Sequence, residues 1–287
     1  MTSPRTSPAA ARRAVVTGAG PGSIGAAVAD RLAASGFDVT VTTRTQPVAD
    51  HRWHALDLAD RGSVATFARW YDDQAADLDL LVNCAGIHLD LGSRWNEPQL
   101  LDDHEIHWRT NYLGTVDLTR ALLPRLLAAT DARGTAVVLH VVSKLHERGV
   151  AAALVGEEWD YDSWVAYGSS KLALVHDAAA LADEHGSRGL RAIAVHPGAV
   201  STNIADRGLE TRPVLRRLRN LARPLERRTL MRPAESAEHL VRLATDPAIT
   251  SGYFHKSRPA DPAPLAGDLD LRAQLQAATD DWLTSAR

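Results

Sequence analysis

A single cysteine, Cys84, stands in the whole chain, which excludes an internal disulfide and fits a reducing compartment such as the cytoplasm. No apolar run is long enough to span a bilayer, so no transmembrane segment is expected. Residues 1–13, rich in Ser, Pro, Ala and Arg, lack an apolar core and are expected to form a flexible leader rather than a secretory signal. There is no excess of positive charge either: the net charge is -3, which gives no footprint for nucleic acid. Lysine is scarce. Among 32 lysines and arginines only Lys144, Lys171 and Lys256 are lysines, so arginine serves wherever a generic positive charge will do. No repeat and no linker divides the chain, and residues 14–287 are read as one domain.

Against that background one pair stands out. Tyr167 and Lys171 are four positions apart, the spacing that sets a phenol and a compact ammonium on one helix face. Tyr71, Tyr112, Tyr161 and Tyr253 are followed at the same distance by Ala75, Val116, Val165 and Ser257, none of which could tune a phenol.

Upstream, the apolar run Ala14–Thr17 ends in the glycine loop Gly18, Gly20, Gly22 and Gly25, and Ile24, Val28 and Leu32 then recur at helical spacing. Strand, glycine loop and helix, in that order, suit a dinucleotide. The glycines let backbone N–H groups approach the pyrophosphate, and the helix N-terminus favours its charge. Residues 38–43 alternate as a second strand ending in Arg44 instead of an acidic residue; Arg44 can pair with a ribose 2′-phosphate, which favours NADP(H) over NAD(H). A third strand is expected over His54–Leu58, then a helix capped by Ser63 and carrying Val64, Phe67 and Trp70. Further strands are read at 79–83, 136–142, 190–195 and 252–254, and helices around Asn111, from Tyr167 to Leu181, over 235–244 and over 271–283. Strands alternating with helices imply an α/β fold, a doubly wound parallel sheet with helices on both faces and ligands at the carboxyl ends of its strands.

Four separated motifs make the chain resemble the short-chain dehydrogenase/reductase family from about Arg13 to Gly252. Thr17 to Gly25 resembles that family's cofactor loop, Asn83-Cys84-Ala85-Gly86 its fourth-strand motif, Ser143 with Tyr167 and Lys171 its catalytic set, and Pro197-Gly198 with Val200 and Thr202 its nicotinamide turn. The resemblance implies a single Rossmann-type domain and an enzyme that interconverts a carbonyl and an alcohol by hydride transfer. Tyr167 would act as acid and base and Ser143 as donor to the substrate oxygen. Lys171 would tune the phenol and hold the nicotinamide ribose, and the Asn111 side chain would hold a water behind that lysine. The cofactor contacts expected are Gly18, Gly20, Gly22, Ile24, Gly25, Arg44, Asp57, Leu58, Asn83, Ala85, Gly86, Tyr167, Lys171, Pro197, Gly198, Val200 and Thr202. The loop is one residue longer than usual, which leaves open whether Gly20 or Gly22 is its second glycine. Cys84 replaces a common asparagine and reads as a small core residue.

The 24-position step from Ser143 to Tyr167 is similar to the branch that includes retinol dehydrogenases and the WW-domain oxidoreductase. That likeness implies an apolar small-molecule substrate and leaves the oligomeric state open. The inserted aromatics Trp159, Tyr161 and Trp164 are expected near the cleft mouth. An Arg-rich amphipathic segment around 204–232 is read as a lid. His51 with His54 and His104 with His107 lie in no ligand framework and are taken as loop and helix-surface residues, so no metal is expected. The alternative from another class is a non-catalytic NADP(H) sensor, which would have no need of Ser143, Tyr167 and Lys171 together. A sugar-nucleotide epimerase or dehydratase fits less well, because no room remains for a large C-terminal substrate domain.

Overall fold

A computed structural model describes residues 11–46, 50–75, 77–89, 97–200 and 230–285. Thr202 and nearly all of the segment read as a lid lie outside them. In chain order the main elements are β1 (Arg13–Thr17), α1 (Ile24–Ala34), β2 (Asp38–Thr43), β3 (Arg52–Ala55), α2 (Arg61–Gln74) and β4 (Leu80–Asn83). There follow β5 (Leu100–Leu101), β6 (His104–Glu105), a π-helical turn (Trp108–Leu113), α3 (Gly114–Arg133) and β7 (Ala136–Val141). The rest comprises α4 (Ala151–Val155), α5 (Ser163–His185), β8 (Leu190–His196), α6 (Pro233–Thr245), β9 (Gly252–His255), β10 (Arg258–Pro259) and α7 (Leu269–Ser285).

Eight strands form one sheet in the order β10-β9-β8-β7-β4-β1-β2-β3, parallel except for β10. The chain runs outward from β1 to β3, then returns to β4 and runs the other way. The reversal between β1 and β4 opens a crevice at the strands' carboxyl ends. Period-two alternation feeds a core on each face. Val15, Leu81, Val138 and Ala192 pack with Phe67, Leu122, Leu126, Leu172 and Leu275 beneath α2, α3, α5 and α7. Val16, Val82, Leu139 and Ile193 pack with Val28, Leu32, Leu240 and Leu243 beneath α1 and α6. This is the doubly wound α/β fold that the pattern predicts.

Several boundaries differ, each for a local reason. The first strand takes in Arg13, which the sequence reading assigns to the leader, because its backbone N–H donates to Asp79 Oδ2 at 2.7 Å. The third strand is β3, not His54–Leu58. Its partner β2 ends at Thr43, opposite Ala55; Leu56 N still donates to Thr43 O at 3.0 Å, but Asp57 and Leu58 have no ladder to join. Asp60, not Ser63, caps α2: Asp60 Oδ1 accepts from Gly62 N at 2.8 Å, while Ser63 Oγ accepts from Asp57 N at 3.0 Å. The β5–β6 hairpin has no sequence expectation behind it. Its turn places Asp102 and Asp103 at φ 50° and 60°, the left-handed conformation usually supplied there by Asn or Gly.

The C-terminal helix is clasped to the body by Trp282. The Arg61 guanidinium lies 4.1 Å above its indole and that of Arg109 lies 5.1 Å from it, while Arg61 also donates to Trp282 O and Leu283 O at 3.1 and 2.9 Å. Those bonds satisfy carbonyls at the helix end that have no partner within the helix. Trp282→Ala should therefore lower the unfolding free energy by about 2 kcal/mol, read from a urea midpoint; an unchanged midpoint would refute the clasp. Among the described residues no helix is long and apolar enough to cross a membrane.

Candidate active site

The glycine loop joins β1 to α1 at the crevice. Gly18 has φ 68°, and a Cβ there would lie 2.7 Å from Ala85 Cα, so the loop presses directly on the chain leaving β4. Thr17 Oγ1 secures that contact by accepting from Ala85 N at 3.0 Å. Gly22, at φ 72°, is required by its own backbone. Gly20 has ordinary backbone angles and nothing within 4 Å of a Cβ built on it, so the protein itself makes no demand for glycine there. Gly25 brings α1 onto the loop, 2.9 Å from Cβ to the Thr17 and Gly18 carbonyls, and Ser23 Oγ caps the helix by accepting from Ala26 N at 3.0 Å. Ile24, the first helical residue, packs on the core beneath α1.

Ser143 follows β7, and Tyr167 and Lys171 project from the buried α5, whose start is capped by Asp162 Oδ1 accepting from Trp164 N at 2.8 Å. The Ser143 side chain lies beside the Tyr167 phenol. Burial pushes the phenol up to about 12, with Ser143 pulling against it, so Tyr167 stands protonated. Lys171 Nζ donates to Val141 O at 3.2 Å and lies 5.8 Å from the Tyr167 ring centre. Burial pulls its ammonium down to about 8. The same burial pushes the Cys84 thiol up to about 12, which leaves it a neutral core group.

Asn111 sits in the π-helical turn with no exposed surface. Its Oδ1 accepts from Ile87 N at 2.7 Å, and its Nδ2 donates to Ile87 O at 3.0 Å and to Ser170 Oγ at 3.2 Å. The side chain thus ties the β4 turn to α5. A Cβ on Gly86 would stand 3.2 Å from both Asn111 Oδ1 and Lys171 Nζ, a tight contact that would press each back by a few tenths of an ångström.

The remaining candidates divide. Ala85 and Gly86 lie with the loop and the lysine. Pro197, Gly198 and Val200 follow β8 in a turn held by Met231 N donating to Ala199 O at 2.9 Å. Arg44 is exposed at the end of β2, and among the described residues no carboxylate lies within 4.0 Å of it. Asp57 Oδ1 accepts from Ala59 N at 3.0 Å, shaping the turn after β3, while the buried Leu58 gives its carbonyl to Arg109 Nη1 at 3.1 Å. The Asn83 side chain turns inward. Its Nδ2 contacts Thr119 Oγ1 and His140 Nδ1, each at 3.1 Å, inside the core, so its side chain does not serve the crevice. Beyond it His140 Nε2 meets Asp177 Oδ2 at 2.9 Å, and Asp177 Oδ1 takes Arg120 Nη2 at 2.7 Å.

Histidines near the site correct the sequence reading. His107 is not on a surface: it is fully buried, with Nδ1 2.7 Å from Glu105 Oε1. His88, two positions past Gly86, is buried against Tyr167; its place just beyond the fourth-strand motif is the one sequence signal that could have marked it. Trp164 reaches the site through His88, and Tyr161 donates to Glu105 Oε1 at 3.1 Å. Trp159 instead lines a cavity of about 290 Å³ with Trp108, Leu154 and Trp282, around α5 from Tyr167. Among the described residues no three His, Cys, Asp or Glu side chains gather as a metal site requires.

This geometry fits a nicotinamide dinucleotide: a glycine loop with unclaimed space at Gly20, a helix N-terminus behind it and an exposed cation, Arg44, at the end of the next strand. Comparison with known proteins agrees. The family profile described as short chain dehydrogenase matches residues 12–212, more than half of the chain. A polyprenol dehydrogenase of Mus musculus is 33% identical over 294 residues, covering 94% of this chain and 83% of that protein. A dehydrogenase/reductase SDR family member 13 of Bos taurus is 32% identical over 280 residues, covering 90% of this chain and 69% of that one. The crystal structure of a 3-ketoacyl-(acyl-carrier-protein) reductase from Brucella melitensis, complexed with NADH, superposes with a TM-score of 0.64 over 86% of this chain and 98% of that one; at 22% identity it speaks for the fold. The chain therefore belongs to the short-chain dehydrogenase/reductase family and is an oxidoreductase that works between carbonyls and alcohols with a nicotinamide cofactor.

Proposed function

We propose that the chain reduces an apolar aldehyde or ketone, and oxidises the matching alcohol, with NADP(H) as cofactor and Tyr167 as the proton donor. The observation that carries the reading is the meeting of Tyr167, Ser143 and Lys171 beside the glycine loop, at the carboxyl ends of β4 and β7. When bound, the cofactor supplies or accepts the hydride. The chain's own residues handle charge and proton. Ser143 donates a hydrogen bond to the carbonyl oxygen, orienting it and stabilising the charge that develops there. Tyr167, held protonated by burial, delivers its proton to that oxygen. Lys171, as an ammonium, stabilises the phenolate left behind and is placed to hold the nicotinamide ribose hydroxyls. Asn111 fixes the turn at Ile87 and so sets Gly86 against Lys171.

The NADP(H) preference rests on Arg44, exposed at the end of β2 where an acidic residue would repel a 2′-phosphate. Arg44→Ala should raise KM for NADPH by about tenfold to a hundredfold, the range of one charge-assisted contact, and leave KM for NADH within about twofold. Equal changes for the two cofactors would remove the preference. The apolar substrate is supported by the mouse relative, whose name specifies a polyprenol. Long-chain isoprenoid alcohols and aldehydes therefore head the substrate panel. A cytoplasmic location accords with the free Cys84.

A further inference from the structure

His88 lies just beyond the β4 turn, with only 4% of its surface exposed. Its imidazole rests flat on the Tyr167 phenol, ring centres 4.2 Å apart and planes 16° from parallel. Trp164, three positions before Tyr167 on α5, meets the imidazole edge-on at 4.6 Å and 88°. His107 turns its ring toward both at steep angles, 5.9 Å from His88 and 6.0 Å from Tyr167. His107 is itself locked. Leu89 N donates to its Nε2 at 3.1 Å, so Nδ1 carries the proton and points at Glu105 Oε1, 2.7 Å away.

Every ring plane around the phenol is thus set by another. One face of Tyr167 is covered by an imidazole, Ser143 lies beside its hydroxyl, and Lys171 Nζ lies 5.8 Å from its ring centre. Proton transfer within a site depends on atoms held to within a fraction of an ångström, so whatever fixes the phenol plane bears on rate. We propose that His88 is a positioning residue for Tyr167: the stacked imidazole, braced by Trp164 and His107, holds the phenol plane so that its hydroxyl stays on Ser143. This rests on the reading of Tyr167 as proton donor. The role belongs to the flat ring rather than to its nitrogens, which separates it from acid or base catalysis by His88 itself.

The test compares His88→Ala, His88→Leu and His88→Phe with Tyr167→Phe, each first checked for folding by circular dichroism and for NADPH affinity by fluorescence. Alanine and leucine both remove the flat partner, and leucine still fills the space, so either folded variant suffices. Both should lower kcat by about tenfold to a hundredfold at unchanged NADPH affinity, and phenylalanine should restore it to within about threefold. A second readout needs no substrate. In 13Cζ-tyrosine spectra, with the Tyr167 signal assigned by its absence from Tyr167→Phe, the phenol that burial pushes up to about 12 should ionise at lower pH in His88→Ala, which opens its face to water. It should keep its wild-type titration in His88→Phe. A wild-type kcat in the folded alanine or leucine variant would overturn the proposal, as would a phenylalanine variant as impaired as alanine. Should Tyr167→Phe keep the wild-type rate, the proton-donor reading itself falls; should it be inactive beside a fully active His88→Ala, only the role of His88 falls.

Discussion

Tyr167→Phe should reduce kcat by about a thousandfold or more while leaving the dissociation constant for NADPH within about twofold. The substitution removes one oxygen and keeps the ring, so the stack against His88 and the packing of α5 survive. What is lost is the protonated hydroxyl that lies beside Ser143. Removing a positioned acid typically costs a factor of about a hundred to ten thousand. Ser143 can stabilise charge on the carbonyl oxygen but has no reason to surrender its proton, and Lys171 is turned to the Val141 carbonyl. The measurement is a steady-state rate on a confirmed carbonyl substrate together with fluorescence titration of NADPH. A variant that binds and turns over like the wild type would show that the proton comes from elsewhere.

The second large effect concerns stability. Asp177 is almost wholly buried on α5 and joins Arg120 of α3 to His140 of β7, at 2.7 and 2.9 Å. Burial alone would raise its carboxyl; the Arg120 guanidinium and the His140 hydrogen bond outweigh burial and hold it below the usual carboxylate range. Asp177→Ala leaves an imidazole in the core and a largely buried guanidinium without their partner, which should cost about 3–5 kcal/mol, seen as a lower urea midpoint. Asp177→Asn keeps an acceptor and should cost less. The pH dependence follows from the direction of the shift. A carboxyl whose folded pKa is depressed contributes stability that is fully present above its unfolded value, about 3.9, and is lost as pH falls through the folded value. Acidification from pH 7 to pH 3 should therefore destabilise the wild type more than Asp177→Ala. An unchanged midpoint in the alanine variant, or equal acid sensitivity, would refute the role of this cluster.

Motifs whose chemistry needs particular residue types in sequence order were readable before any coordinates. Tyr167 and Lys171 share a helix face, the glycine loop falls between β1 and α1, and Ser143 follows a strand, because a helix repeat and a strand end can be located from local pattern alone. Side-chain direction at a strand end could not be read in this way. Asn83 and Arg44 both occupy such positions, yet Asn83 turns into the core to meet His140, and only the sheet register Asn83↔His140 explains it. Long-range polar partners were equally invisible: Arg120, His140 and Asp177 come together from three elements, and none belongs to a motif. Local competition explains the misplaced cap, since Asp60 and Ser63 are both good cap residues and the turn after β3 uses Ser63 for Asp57. His88 escaped for a simpler reason. It lies just past the fourth-strand motif, and stacking on a residue 79 positions away leaves no trace in local pattern.

Chemistry at Tyr167 can be followed by the fate of a single atom. NADPH deuterated at the transferring position of C4 is incubated with the protein and a panel of isoprenoid, aromatic and steroid aldehydes and ketones, and the alcohols are analysed by mass spectrometry. The account predicts one deuterium on the carbinol carbon of at least one apolar product, formed by the wild type and not by Tyr167→Phe. Tight NADPH binding with no deuterated alcohol from any carbonyl would contradict it and point instead to a protein that senses the cofactor without using it.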